Sequence, residues 1–190
     1  MNQLVLASSS PRRKEILEQV GYSFRLRKQN TDESEVPTLT PEEMVKELAV
    51  LKGRNTPFQQ EKEVILAADT VVAYQGRVFG KPTSEEDAYN MLKSLSGEIH
   101  EVYTGVMLRS KEKELVFAER TLVQFWELTD DDIWNYIRTK EPFDKAGAYG
   151  IQGPGAVLVQ KIEGDYYNVV GLPISRTVRA LKEFSIYPVS

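Results

Sequence analysis

The sequence predicts a mixed α/β fold, and three observations predict it. Val64 to Ala73 is a nearly continuous apolar run rich in β-branched residues, as expected of a central strand covered on both faces. Two longer strand candidates, roughly His100 to Arg109 and Leu115 to Glu127, flank the charged turn Ser110 to Glu114 and read as an antiparallel ribbon. Helix-start signals recur between such runs. Helices, one buried strand and antiparallel ribbons together give a mixed sheet with flanking helices.

The first element is the apolar stretch Leu4 to Ala7, turned by Ser8-Ser9-Ser10-Pro11 into a helix. Ser10 suits the N-cap, and Pro11 the first helical position, where a missing N–H costs nothing. Ile16, Leu17 and Val20 form the expected buried stripe, and Gly21 can end the helix. Arg12, Arg13 and Lys14 fill its first turn, where acidic residues normally complement the macrodipole. A helix start with free N–H groups, hydroxyls and arginines suits a phosphate or carboxylate ligand; solvated basic side chains on an ordinary helix are the plainer alternative.

A short strand is expected at Tyr22 to Leu26, then a polar surface loop from Arg27 to Leu39 carrying Asp32, Glu33 and Glu35. Thr40 and Glu43 are spaced as a capping box; Met44, Val45, Leu48 and Ala49 supply the helix's apolar face, with Lys52 near its end and Gly53 as its stop. Within the central run, Asp69 and Thr70 interrupt the apolar residues. A carboxylate in a buried strand is costly unless paired or coordinated, although a strand ending at Ala68 would leave Asp69 as a turn residue. Tyr74-Gln75-Gly76-Arg77 reads as a hairpin turn leading back through Val78 and Phe79 to Gly80-Lys81-Pro82, where Gly80 allows close backbone approach.

Ser84 with Asp87 opens a helix whose inward residues are Ala88, Met91, Leu92 and Leu95, and Thr129 caps another through Ile133, Trp134, Tyr136 and Ile137. The glycine-dense stretch 141–155 can bring backbone N–H groups against a ligand or serve as a connector, and Tyr149, Ile151 and Gln152 are unusual choices for the latter. Ala156 to Ile162 and Tyr166 to Val170 read as a last hairpin, followed by a helix with Ile174, Val178, Leu181 and Phe184 inside. No repeat, low-complexity tract or linker divides the chain, so residues 1–190 are expected to form one domain.

Composition narrows the chemistry. The absence of cysteine excludes a disulfide framework and thiolate metal sites, and favours a cytoplasmic setting. A single histidine, His100, excludes a multi-histidine zinc centre and makes any Ser-His-Asp triad depend on one residue; beside Glu98 and Glu101 at a strand start it reads as a packing or hydrogen-bonding residue ahead of the catalytic alternative. Neither a membrane span nor a signal peptide is apparent. The net charge of −4 argues against nucleic-acid binding, so a polyanionic ligand must be held by a local cluster. No P-loop, dinucleotide fingerprint or nucleophile elbow is present. Arg12, Arg13, Lys52 and Lys81, set against Asp69, Asp32 and Glu33, suit Mg²⁺-assisted phosphoryl chemistry. Arginines would clamp phosphates and carboxylates would hold the metal and activate water.

Six segments resemble the Maf family, also called septum-formation-inhibitor-like proteins. They are Leu-Ala-Ser-Ser-Ser-Pro-Arg-Arg (6–13), Ala-Asp-Thr-Val-Val (68–72), Gly-Lys-Pro (80–82), Ser-Gly-x-x-His-x-Val-Tyr-Thr-Gly (96–105), Asp-Lys-Ala-Gly-Ala-Tyr-Gly-Ile-Gln-Gly (144–153) and Gly-Asp-Tyr-x-Asn-Val-Val-Gly-Leu-Pro (164–173). They occur in the family's order over nearly the whole chain. The resemblance implies an elongated mixed sheet in two lobes around a cleft, like the inosine-triphosphate pyrophosphatases. It implies a nucleoside triphosphate pyrophosphatase that uses a divalent metal cation (Mg²⁺ or Mn²⁺), releases a monophosphate and pyrophosphate, and cleans the nucleotide pool. Asp69 matches the family's proton acceptor, while Arg12, Thr70 and Gln152 match the positions that set base preference, in the combination of the dTTP/UTP branch. An amide at Gln152 can pair with the O4/N3–H edge of thymine or uracil. On this reading Ser8, Arg12, Arg13, Lys52 and Lys81 hold the triphosphate, Glu33 and Asp69 bind the metal, and Asp69, Lys81 and Glu33 form the catalytic set. The expected partner is the nucleotide rather than nucleic acid or membrane, with room for a homodimer. A nucleotide-binding regulator of cell division without turnover is the competing class; it would need no water-activating carboxylate.

Overall fold

The computed structural model describes residues 1–29, 31–34 and 40–189. Its strands are β1 (Gln3–Leu6), β2 (Phe24–Leu26), β3 (Glu63–Tyr74), β4 (Arg77–Phe79), β5 (Ile99–Arg109), β6 (Glu114–Phe125) and β7 (Val159–Glu163). The helices are α1 (Pro11–Gln19), α2 (Pro41–Arg54), α3 (Glu85–Leu95), α4 (Asp130–Arg138), α5 (Tyr166–Val170) and α6 (Ile174–Lys182). The strands form a seven-stranded sheet in the order β2-β1-β3-β5-β6-β7, with β4 paired to β3 off that path. β1 runs parallel to β2 and β3, whereas β4 is antiparallel to β3 and β7 to β6, so the sheet is mixed as expected. None of the described helices is long and apolar enough to cross a membrane.

The chain divides into two compact units: Met1–Asp69, Thr104–Glu119 and Gly171–Ser190 in the first, Thr70–Tyr103 and Arg120–Val170 in the second. In the first, Val5 and Ala7 pack with Ile65 and Ala67, and Ile16 and Leu17 bury the inner stripe of α1. Val20, expected in that stripe, is exposed at the C-cap. The capping box of α2 is present, but Gly53 does not stop the helix, which runs on to Arg54. Gly53 is instead a contact point: a Cβ there would lie 2.5 Å from Met107 Sδ. Of the expected polar loop over 27–39, residues 30 and 35–39, including Glu35, lie outside the described residues.

A buried ion pair ties β2 to the start of β3. Arg27 at the end of β2 donates through Nη2 and Nη1 to Glu63 Oε1 (2.7 Å) and Oε2 (3.0 Å), and the Gln59 N–H adds a third bond at 2.8 Å. These donors, Arg27 foremost, push the Glu63 carboxyl down to about 2 from an ordinary value of 4.5. Because the folded-state pKa is the lower one, the stabilisation is complete above about pH 4.5 and is lost as pH falls toward 2. From this residue the protein should lose about 2 kcal/mol of unfolding free energy between pH 5 and pH 3. Urea titrations of wild type and Glu63→Gln over that range check this: the variant's loss should be smaller by that amount.

The second unit has its own core, in which Ala88, Leu92 and Leu95 of α3 and Ile133 and Ile137 of α4 pack with Val102, Val123 and Phe125. Both helices begin as the sequence indicates: Ser84 Oγ accepts from the Asp87 N–H, and Thr129 and Asp132 form a capping box. Trp134 is half-buried and stacks on Tyr89 at 5.1 Å between ring centroids. One expectation fails here. Tyr166 to Val170 is the short helix α5 rather than a strand, and only Val159–Glu163 of the expected hairpin is a strand, pairing with β6. The Asp165 side chain accepts from the Tyr167 N–H at 2.8 Å and starts a turn, while buried Asn168 donates to Val102 O and Thr121 Oγ1, both at 3.0 Å. Those tertiary bonds outweigh the strand preference of a Tyr-Tyr-x-Val-Val sequence.

Candidate active site

The serine loop leaves β1 with the Ala7 N–H bonded to Leu66 O at 2.8 Å. Ser8 is buried, and its Oγ accepts from the Ser10 N–H (3.1 Å) and from Arg13 Nη1 (3.4 Å). Ser8 therefore folds the loop. Ser10 holds the N-cap position in an extended conformation without a side-chain cap, and Pro11 follows at the first helical position. The basic first turn is not merely solvated. Arg13 Nε donates to Gly171 O at 2.7 Å, fixing the guanidinium from the segment that precedes α6. Burial pulls Arg13 below its ordinary pKa, the Asp69 carboxylate opposes that effect, and neighbouring Arg12 adds to it. Arg13 and Asp69 thus lie within electrostatic reach of each other.

Asp69 sits inside β3, which continues without interruption through Tyr74, so the alternative of a strand ending at Ala68 is excluded. Its side chain retains 14% exposure. Lys52, in the last turn of α2, places its ammonium between two carboxylates: it bonds Asp69 Oδ1 and lies 2.9 Å from Glu33 Oε1. Lys52 is 13% exposed and Glu33 49%, so one acid lies deep and the other at the rim. Asp32, also expected among the loop acids, accepts instead from the Ser34 N–H at 2.9 Å within its own turn. Among the described residues no group of three or more His, Asp or Glu side chains gathers as a metal cluster. The Glu33–Asp69 pair offers hard oxygen donors, which fits Mg²⁺ or Mn²⁺ completed by water and by phosphates of a substrate.

The second unit carries Thr70, Lys81 and Gln152. Gly80, expected to sit against another backbone, has open space around its Cβ position; its contribution is a carbonyl that accepts from the Gly147 N–H at 3.1 Å. Gly147 is the crowded one. It has φ +70°, and a Cβ would meet the Val72 side chain at 2.8 to 3.0 Å. This joins the segment of exposed Lys81 to the glycine-dense loop. That loop is a series of short 3-10 turns rather than a slack connector. Tyr149 and Ile151 are buried, while Gln152 is exposed. The Tyr149 hydroxyl lies 2.6 Å from His100 Nε2, and both rings pack edge-on against Phe125. Burial lowers His100 to a pKa of about 3, so at neutral pH it is an uncharged packing residue, as the sequence indicates. The Gly147 N–H, which holds the Gly80 carbonyl, and the Gly171 carbonyl, which holds Arg13, are supports that sequence reasoning did not assign, although both residues lie in segments it quoted.

The protein is thus a mixed α/β sheet bearing a lysine-bridged carboxylate pair, with an arginine fixed at a nearby helix start. The family described as Maf-like protein matches residues 3–184, and the chain belongs to that family. Relatives named dTTP/UTP pyrophosphatase from Bacillus cereus and Bacillus thuringiensis subsp. konkukian are each 50% identical over 98% of this chain and 97% of their own. A HAM1 protein from Coxiella burnetii has a similar fold, with a TM-score of 0.50 at 16% identity, covering 96% of this chain and all of that one. That likeness concerns the fold alone, and it accords with the mixed sheet expected from the resemblance.

Proposed function

We propose that this protein is a nucleoside triphosphate pyrophosphatase that hydrolyses dTTP and UTP, and related modified pyrimidine triphosphates, to the monophosphate and pyrophosphate. The observation that carries the reading is Asp69: a carboxylate in the middle of β3, ion-paired to Lys52 and within electrostatic reach of Arg13. Glu63, at the start of the same strand, is matched among the described residues by Arg27 alone, whereas Asp69 stands among cations that suit phosphates, where hydrolysis of a phosphoanhydride needs an acid. The names of the 50%-identical relatives support the same substrates.

In this mechanism Arg12 and Arg13 hold phosphate oxygens, and the Gly171 carbonyl and Ser8 keep Arg13 from swinging into solvent. Lys52 and Lys81 supply further positive charge to the phosphates. A divalent cation, when bound through Asp69 and Glu33, supplies Lewis-acid charge to the phosphoryl oxygens. Asp69 orients a water and accepts its proton as the water oxygen bonds to phosphorus. The bridging oxygen between the α- and β-phosphates departs with pyrophosphate. Clearing aberrant triphosphates places such an enzyme in the cytoplasm.

Arg12, Thr70 and Gln152 set base preference on this reading. The Gln152 amide donates to O4 and accepts from N3–H of thymine or uracil. Glutamate there keeps the acceptor and loses the donor. Gln152→Glu should therefore lower kcat/KM for dTTP and UTP by about two orders of magnitude without a comparable loss of stability. The test is pyrophosphate release from a panel of standard and modified triphosphates with Mg²⁺ and with Mn²⁺. Absence of release from every nucleotide, with binding retained, would replace the enzyme by a nucleotide-binding regulator. An equal loss on all bases in the variant would remove Gln152 from base contact.

A further inference from the structure

The lysine of the carboxylate pair carries a second consequence, resting on the reading of Glu33 and Asp69 as ligands of a divalent cation. Assigned from the sequence to the phosphates, Lys52 is engaged elsewhere: its ammonium bonds both Asp69 Oδ1 and Glu33 Oε1. We infer that Lys52 is a tethered counter-cation that occupies the carboxylate pair and excludes a divalent metal until a polyphosphate draws the ammonium away.

The charge balance supports this. Two carboxylates, Glu33 and Asp69, face Lys52; Arg13 acts electrostatically on Asp69, and Arg12 acts on Arg13. Positive charge from Lys52 thus already faces both carboxylates, and Arg13 adds to it at Asp69, so a free dication would have to displace a cation that is covalently tethered to the site. Mg²⁺ also gives up its water reluctantly and is ordinarily held by one or two carboxylates together with substrate phosphates. The carboxylates alone, already neutralised by an ammonium, do not meet that requirement. A triphosphate reverses the balance, because it brings several negative charges and a set of acceptors for the same ammonium. Lysine suits the exchange: it is a point charge with three donors on a flexible stem, and it can pass from carboxylate to phosphate by rotation. The α2 backbone holds the base of that stem, with Thr56 Oγ1 donating to Lys52 O at 2.9 Å. Lys52 therefore sets an order of assembly, in which the metal enters with the nucleotide and not before it.

The experiment is Mn²⁺ titration of the nucleotide-free protein, read from the loss of the free-Mn²⁺ electron paramagnetic resonance signal. Lys52→Met should bind Mn²⁺ at least tenfold more tightly than wild type. Lys52→Arg, which keeps the charge, should bind no more tightly than wild type. The double variant Lys52→Met/Asp69→Asn should lose the gain, since the gain depends on the carboxylate pair. A gain below tenfold in Lys52→Met, the same gain in Lys52→Arg, or a gain that survives Asp69→Asn overturns the inference. Thermal melting of each variant establishes folding, and Lys52→Gln replaces the methionine variant if the latter does not fold. No turnover enters this readout, so it stands apart from the proposed activity. A wild type that releases no pyrophosphate from dTTP would defeat the function while leaving the titration to decide the role of Lys52.

Discussion

Asp69→Asn should reduce kcat for pyrophosphate release from dTTP by about 10³-fold. The substitution preserves shape and removes the proton acceptor of the proposed mechanism together with one of its two metal ligands. In that mechanism Arg12, Arg13 and the lysines hold the phosphates, and the substitution leaves them in place. The fold should survive, because Asp69 is not completely buried and its partner Lys52 retains Glu33. Paired measurements of steady-state kinetics and thermal melting separate the two effects. If the variant turns over within tenfold of wild type, the carboxylate is a structural ion-pair partner and the proposed mechanism loses its base.

The second large effect concerns packing. Gly105 in β5 lies against the backbone of α2: a Cβ would stand 2.1 Å from Val45 O, 2.3 Å from Val45 C and 2.8 Å from Lys46 N. No side chain can rotate to make that room; the helix itself must move. Gly105→Ala should therefore cost about 3 kcal/mol or more of unfolding free energy, the upper end of overpacking effects. α2 carries Lys52, so displacing it should also disturb the Lys52 contacts to Asp69 and Glu33. Gly80→Ala is the control. Open space at its Cβ position predicts a change within about 0.5 kcal/mol. Urea denaturation of both variants checks the contrast, and equal effects would refute the steric argument.

These two glycines show where sequence reading stopped. Gly80 was read as allowing close backbone approach, and it is open; Gly105 was singled out only as the end of a family segment, and it is the position where an added Cβ would strike the α2 backbone. Crowding at a glycine depends on what another part of the chain brings to it. The same holds for Gly53, which reads locally as a helix stop and serves as a packing point against Met107. Tyr166 to Val170 reads as a strand because its residues favour one, yet Asn168 is held in a helical turn by bonds to Val102 and Thr121, dozens of residues away.

Features set within a few residues were legible. The capping boxes at Thr40–Glu43 and Thr129–Asp132, the Ser84 cap and the hairpin turn between β3 and β4 all lie where the sequence places them. The anomalies that pointed to the site were also local: cations in a first helical turn, and an acid in an apolar strand. Each is unfavourable alone, so each marks a compensation elsewhere in the fold. The sequence by itself thus determined the mixed α/β class and the family. Only the tertiary structure decided that Lys52 bridges Asp69 and Glu33, that Gly171 holds Arg13, and that Ser8 spends its hydroxyl on its own loop. Caps, turns and periodicity act over about one helical turn and leave a record in consecutive residues. An ion pair across 17 residues or a hydrogen bond across 158 does not, because its partner is chosen by where the packed chain returns.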